Sequence, residues 1–306
     1  MANNYHVPVM LQPCIDGLNI KPDGVYVDVT FGGGGHSREI LKHLNENGRL
    51  LAFDQDADAK QNIPNDDRLT FIDQNFRFLK NNCRLHQAPN VDGILADLGV
   101  SSHQFDQPER GFSIRFDAEL DMRMDQSSEI TAKDVINKYA EEELHKIFGI
   151  YGEIQNAKTL AKTIVTARTI KEILTVSELK QVISNHIPKG KENKYLAQVF
   201  QALRIEVNQE LKALQDFLLQ SVDILKVGGR LVVMSYHSLE DRLVKNFIAK
   251  GKFSGEVDKD FFGNELKPLE AVSRKAIVAS AEEIVENSRA RSAKLRIAQK
   301  IEENKK

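Results

Sequence analysis

The chain has 306 residues, 41% of them hydrophobic and 28% charged, a composition that buries a real core and excludes disorder along its length. Its 42 Lys and Arg stand against 44 Asp and Glu, a formal charge of -2 that excludes a whole-chain basic field, so any RNA or DNA site is local. Cys14 and Cys83 without CxxC spacing argue against a disulfide framework or a zinc cluster, and we expect no metal. The start lacks a basic segment followed by an apolar core, and no apolar run approaches the ~20 residues that span a bilayer. We therefore expect a cytoplasmic protein without a membrane partner.

In chain order, residues 25–30, 49–54, 68–73 and 91–97 are short apolar runs that predict four strands. Helical stretches fit between them at 36–47, 57–62 and 76–85. This alternation implies an α/β fold with a parallel sheet covered on both faces. Three of the strands end in a carboxylate, Asp54, Asp73 and Asp97, at the sheet edge where open α/β folds bind ligands.

Residues 98–125 mix Gly, Ser, Pro, Arg and Met without period and predict a long functional loop. From Thr131 to about Gln220 the chain is helical in character, with capped starts at Thr131 and Thr175. Between 158 and 194 eight Lys or Arg stand against three Glu, a basic surface that the total charge conceals. Gly228-Gly229 closes a helix, residues 230–235 predict a buried strand, 239–250 a helix and 293–301 a closing strand; residues 253–288 resist assignment. The domain lines fall at 1–105 for the first part of the sheet domain, 106–205 for the loop and an inserted helical domain, and 206–306 for the second part.

The first strand runs into Phe31-Gly-Gly-Gly-Gly-His-Ser37 and a helix, where glycines let a ligand approach the main chain. Asp54 follows about 20 residues after Gly34, where a carboxylate receives both hydroxyls of a ribose. Both a nicotinamide or flavin dinucleotide and S-adenosylmethionine use such a unit, and the register Gly32, Gly34, Ser37 does not decide between them. Asp97, followed by Ser101, Ser102 and Gln104, suits the polar surroundings of a methyl acceptor better than a hydride site.

The segments Thr30–Ser37, Asp97–Ser102, Glu109–Ser113, Leu120–Asp125, Phe200–Asn208 and Ser235–Arg242 together resemble the MraW/RsmH family, bacterial methyltransferases of small-subunit ribosomal RNA. The resemblance runs from about His6 to Ile301. It implies a class I, Rossmann-like methyltransferase sheet with an inserted all-helical domain, using S-adenosylmethionine to methylate N4 of one cytidine in the decoding region of 16S rRNA within the assembled small subunit. It places cofactor contacts on Gly34, Gly35, His36, Asp54, Phe76, Asp97 and Gln104. Two departures stand out: the unbroken run Gly32 to Gly35, and Gln198, where the family often carries an arginine.

Methylating an exocyclic amine needs alignment and a hydrogen-bond acceptor, and for these roles we single out Asp97, with Ser101, Ser102 and His237 beside it. Methylation at C5 would need a cysteine nucleophile; Pro13-Cys14 precedes the first strand, so Cys14 reads as a small buried residue. Arg110, Arg115 and Arg123 in the loop, with Phe112 and Met122, are suited to a splayed base, and Tyr236 is placed for a base contact. Arg289 and Arg291, with Lys294 and Arg296, extend the RNA surface. A dinucleotide oxidoreductase and a non-catalytic ribosome-assembly factor are the competing readings. The first gives no reason for the 97–125 loop, and the intact Asp54 and Asp97 weigh against the second.

Overall fold

A computed structural model describes residues 8–302, without the side chain of Ser102. The chain divides into two compact units, residues 1–99 with 211–306, and residues 100–210. The sequence lines stood at 105/106 and 205/206.

The first unit opens with α1 (Leu11–Leu18), then β1 (Val25–Asp28), α2 (Gly35–His43), β2 (Arg49–Asp54), β3 (Leu69–Asp73), α3 (Leu79–Leu85) and β4 (Val91–Asp97). The stretches 57–62 and 76–78 are 3-10 turns where helices were expected. The chain then passes through the second unit, whose helices are α4 (Ser102–Asp106), α5 (Ala132–Lys138), α6 (Glu141–Lys146), α7 (Ala157–Arg168), α8 (Val176–Ile183) and α9 (Glu192–Asn208). It returns by α10 (Glu210–Ile224), β5 (Leu225–Ser235), α11 (Ser238–Lys250), β6 (Leu269–Ala271), α12 (Ala281–Glu286) and β7 (Lys294–Lys300).

The sheet order is β3-β2-β1-β4-β5-β7-β6, with β7 antiparallel to β5 and β6 and the other neighbours parallel. It is the α/β, Rossmann-like methyltransferase sheet that the resemblance implies. Alternate strand residues face opposite cores, as a period of two requires. Val27, Leu51, Phe53 and Ile94 pack against α3, α10 and α11, while Tyr26, Leu50 and Leu95 pack against α1 and α2. Reversal of the chain order on either side of β1 and β4 puts the carboxyl ends of β1, β2 and β4 around one crevice.

Gly228-Gly229 does not close a helix. Helix α10 stops at Ile224, and the glycines lie inside β5 where its register slips between the pairs Val91 with Leu225 and Gly93 with Arg230. Gly228 takes φ +82 there, which fits a bulge rather than a helix end. The expected closing strand is β7, and the unassigned 253–288 stretch contributes β6 and α12.

In the second unit, Thr131 and Thr175 cap α5 and α8 through reciprocal bonds with Asp134 and Glu178. Helix α9 buries Tyr195, Leu196, Val199, Phe200 and Leu203, the spacing of one helical face, in the unit's own core. Among the described residues no helix is long and apolar enough to cross a membrane.

Candidate functional site

The sheet edge gathers a set of buried polar side chains. Asp28 ends β1 fully buried; its carboxylate accepts from the Ser37 hydroxyl at 2.7 Å and from the Thr30 N–H at 3.1 Å. The Thr30 hydroxyl in turn accepts from the Asp97 backbone N–H at 2.7 Å, tying the ends of β1 and β4. His36 lies buried at the start of α2, with Nε2 3.2 Å from the Val9 carbonyl and Nδ1 3.9 Å from Asp97 Oδ2. The Tyr236 hydroxyl donates to Asp97 Oδ1 at 2.8 Å.

Burial drives the charges at this edge. It pushes the Asp97 carboxyl up to about 6 against the opposing pull of His36 and the Tyr236 hydroxyl. Asp54 is also pushed up to about 6 by burial, although the Asp56 and Gly32 N–H groups donate to it at 2.8 and 2.7 Å. Asp28 is raised for the same reason. Asp73, the third strand-end acid, is different: it is exposed and pairs with Lys60 at 2.5 Å.

The glycine loop has a graded geometry. A Cβ on Gly35 would stand 2.2 Å from Pro8 Cγ, and on Gly34, at φ +73, 2.8 Å from the Phe31 ring. Among the described residues a Cβ on Gly33 would meet nothing within 4 Å. Two glycines therefore serve the protein's own packing, and the third borders open space.

S-adenosylmethionine fits these residues. Gly33 leaves the main chain approachable, and each Asp54 oxygen keeps a second lone pair for a ribose hydroxyl. The first turn of α2 carries no acidic side chain to repel the cofactor's carboxylate. Asn75 donates to Gln55 at 2.6 Å, drawing the segment of Phe76 towards that of Asp54. Phe76 itself is half-buried, edge-on to Phe217 at 5.6 Å, so one side of its ring belongs to the core.

Other predicted residues have structural duties. His237 is the N-cap of α11: its Nδ1 faces the Glu240 N–H at 3.5 Å and its Nε2 lies 3.2 Å from Glu240 Oε1. The Cys14 thiol is fully buried and pushed well up by that burial, the opposite of what a nucleophile needs. Lys294 and Arg296 both pair with Asp241, at 3.3 and 2.7 Å. Arg291 is exposed and Arg289 half-buried, in a 3-10 turn that precedes β7.

In the second unit, Ser101 caps α4, and the Gln104 side chain accepts from the Ser101 N–H at 3.0 Å while the Gln104 N–H donates to the Ser101 hydroxyl. The Ser102 side chain lies outside the described residues. The loop expected to read RNA is largely a packed knot. Arg110 is buried and donates to the carbonyls of Arg123 and Met124 at 3.0 and 3.1 Å, which removes it from the RNA contacts. Asn208 accepts from the Met124 N–H at 2.7 Å and donates to the Met122 carbonyl at 2.8 Å. Met122, Met124 and Phe112 are buried in the same core. Arg123 is held by Asp121 at 2.7 Å and by the Ser128 carbonyl at 2.7 Å. Arg115 stays over half exposed, stacked on Phe105 at 5.2 Å and Phe116 at 5.5 Å. Gln198 donates to the Gly152 carbonyl at 2.9 Å, an internal tie.

Sequence reasoning missed Asp28. A lone carboxylate inside Val-Tyr-Val-Asp-Val-Thr, a strand otherwise built to be buried, was the available signal.

Comparison with known proteins gives a consistent result. A model of the MraW methylase family matches residues 3–301. The chain is 60% identical over 297 residues to the ribosomal RNA small subunit methyltransferase H of Flavobacterium johnsoniae, covering 97% of this chain and 98% of that one. It is 60% identical over 301 residues to the protein of the same name from Cytophaga hutchinsonii, covering 97% and 99%. The crystal structure of an rRNA methylase from Streptococcus thermophilus aligns at 12% identity with a TM-score of 0.39, covering 95% of each chain. By the family model and these relatives together, the chain belongs to the MraW methylase family, and its cofactor is S-adenosylmethionine.

Proposed function

We propose that this protein transfers a methyl group from S-adenosylmethionine to N4 of one cytidine in the decoding region of 16S rRNA, acting in the cytoplasm on the small ribosomal subunit. The names of the relatives support ribosomal RNA of the small subunit as the substrate. The observation that carries the amine chemistry is Asp97, a buried carboxylate at the end of β4 with a raised pKa and one oxygen turned away from its tyrosine partner.

The cofactor supplies an electrophilic methyl on a sulfonium, with a neutral thioether as leaving group. The protein's residues do the rest. Gly34, Gly35 and His36 shape the loop, Asp54 holds the ribose, and Phe76 offers a ring face to the adenine. Asp97 accepts a hydrogen bond from the N4 amine, directing its lone pair at the methyl, and receives the surplus proton once the N–C bond has formed and the C–S bond has broken. A carboxyl pushed up to about 6 takes that proton more readily than an ordinary one. Arg115, Arg291 and the lysines between 158 and 194 supply phosphate contacts.

The test is incubation with labelled S-adenosylmethionine and under-methylated small subunits, followed by mapping of the labelled nucleotide. Label on N4 of a decoding-region cytidine is expected. Label on another base, on DNA or on protein overturns the substrate assignment.

A further inference from the structure

The end of β5 brings a second polar side chain to Asp97. Strands β4 and β5 run parallel with Asp97 opposite Met234, and the Leu98 N–H donates to the Met234 carbonyl at 3.0 Å. The chain leaving β5 therefore passes beside the carboxylate, and Tyr236, two residues on, reaches Asp97 Oδ1 at 2.8 Å. The tyrosine is held at its other end by its own N–H, which donates to buried Glu240 at 3.0 Å. Gly99, at φ +97, lies against the ring, and a Cβ there would touch it at 3.4 Å. Two motifs more than a hundred residues apart thus meet in one hydrogen bond.

We propose that Tyr236 is a positioning residue for methyl transfer: by donating to Oδ1 it fixes the orientation of the Asp97 carboxylate and leaves Oδ2 to accept the amine's hydrogen bond and then its proton. The inference rests on Asp97 being the acceptor for that amine. It changes the part expected of Tyr236 from a contact with the base to a contact with the acid beside it. Among the described residues Oδ2 has no closer partner than His36 Nδ1 at 3.9 Å, longer than a hydrogen bond. The phenol is pushed upward by burial and by Asp97, so it remains a donor throughout the working range. Besides Tyr236, the charged or titratable groups around Asp97 among the described residues are His36 on α2, Asp28 on β1, Glu240 on α11 and Cys14 on α1. His36 favours the carboxylate, whereas Asp28 and Glu240 repel it.

Tyr236→Phe removes the hydroxyl and keeps the ring. The expected result is that the Asp97 carboxyl, followed by carbon NMR in the free protein, titrates about one pH unit higher, and that the acid limb of kcat moves up with it. The KM for small subunits stays within about twofold while kcat at neutral pH falls about tenfold, the split that a transition-state contact gives. A protein carrying 3-fluorotyrosine at 236 keeps the fold and donates more strongly, so it should move the limb downward. It supplies the test if the phenylalanine variant does not fold. An Asp97 titration and a kcat–pH profile that both stay in place overturn the proposal. A wild-type protein that leaves rRNA unmethylated defeats the acceptor reading and the proposal with it, whereas normal methylation beside an unmoved titration defeats the tyrosine's part alone.

Discussion

The carboxylates at the sheet edge and those in the helical unit are handled in opposite ways. At the edge, burial pushes Asp54 and Asp97 up to about 6. In the helical unit burial also works against Asp121 and Asp134, but Arg123 outweighs it at the first, and Lys138 and the Thr131 cap hold the second at about 2. One region partners its charges so that they stabilise the fold. The other keeps acids in surroundings that disfavour their charge, which a chain tolerates where chemistry uses them. The arginines repeat the lesson, since Arg110 and Arg123, placed by sequence in an RNA-reading loop, are bound to the main chain or to Asp121.

The contrast breaks most visibly through activity. Asp97→Asn keeps an acceptor for Tyr236 and removes the proton acceptor; kcat should fall by about 10²–10⁴ with S-adenosylmethionine still bound, read by single-turnover methyl transfer and calorimetry. Full turnover would place Asp97 among ordinary structural acids. In the helical unit the corresponding change strikes stability instead. Arg110→Ala leaves one buried and one part-buried carbonyl without this donor and should cost about 2–4 kcal/mol in chemical denaturation. A protein as stable as the parent would show that the Arg110 bonds carry no weight in the fold.

The sheet edge also has a signature in stability against pH. The folded-state pKa of Asp97 is raised to about 6, above its ordinary value of 3.8, so the folded protein holds the proton more firmly than the unfolded chain. Stability therefore falls as pH rises through that window, and the loss is complete above pH 6, with about 3 kcal/mol as its upper bound. Asp97→Asn lacks this cost and should unfold later than the parent at pH 8, with the gap closing near pH 4. A gap equal at both pH values removes the claim that the edge is electrostatically expensive. Gly33→Ala tests the same edge without charge. No atom of the described residues opposes the new Cβ, so stability should stay within about 0.5 kcal/mol while affinity for S-adenosylmethionine drops about tenfold. Unchanged affinity would show that the open space beside Gly33 is not where the cofactor lies.

Much of the sheet unit was legible because its signals are local. Apolar runs of strand length, the glycine loop and the acid after each strand lie within a few residues of one another, and the threonine caps of α5 and α8 are as local. What the sequence hid depends on pairing across the chain. The Tyr236 bond to Asp97 follows from strands β4 and β5 lying side by side, which no spacing announces. Loop 98–125 looked open because glycine, serine and arginine usually mark exposed chain. Its partner Asn208 closes α9, more than eighty residues later. Gly228-Gly229 misled for a related reason, since a glycine pair after a helical pattern serves a helix end and a bulge equally well until the register with β4 is known.

The smallest effect sharpens the comparison inside the helical unit, between a bound arginine and an exposed one. Arg115 pairs with Asp106 at 3.1 Å, but both side chains are 56% exposed, and such pairs contribute little. Its guanidinium lies over the rings of Phe105 and Phe116 without being buried. A phosphate can displace Asp106 from it at little cost. Arg115→Ala should therefore leave the unfolding free energy within about 0.5 kcal/mol while the slope of log affinity for small-subunit RNA against log salt shrinks by about one. The opposite pair of results, a destabilised protein with an unchanged salt slope, would make Arg115 a structural cation like Arg110 and move the phosphate contacts to the lysines of α7 and α9.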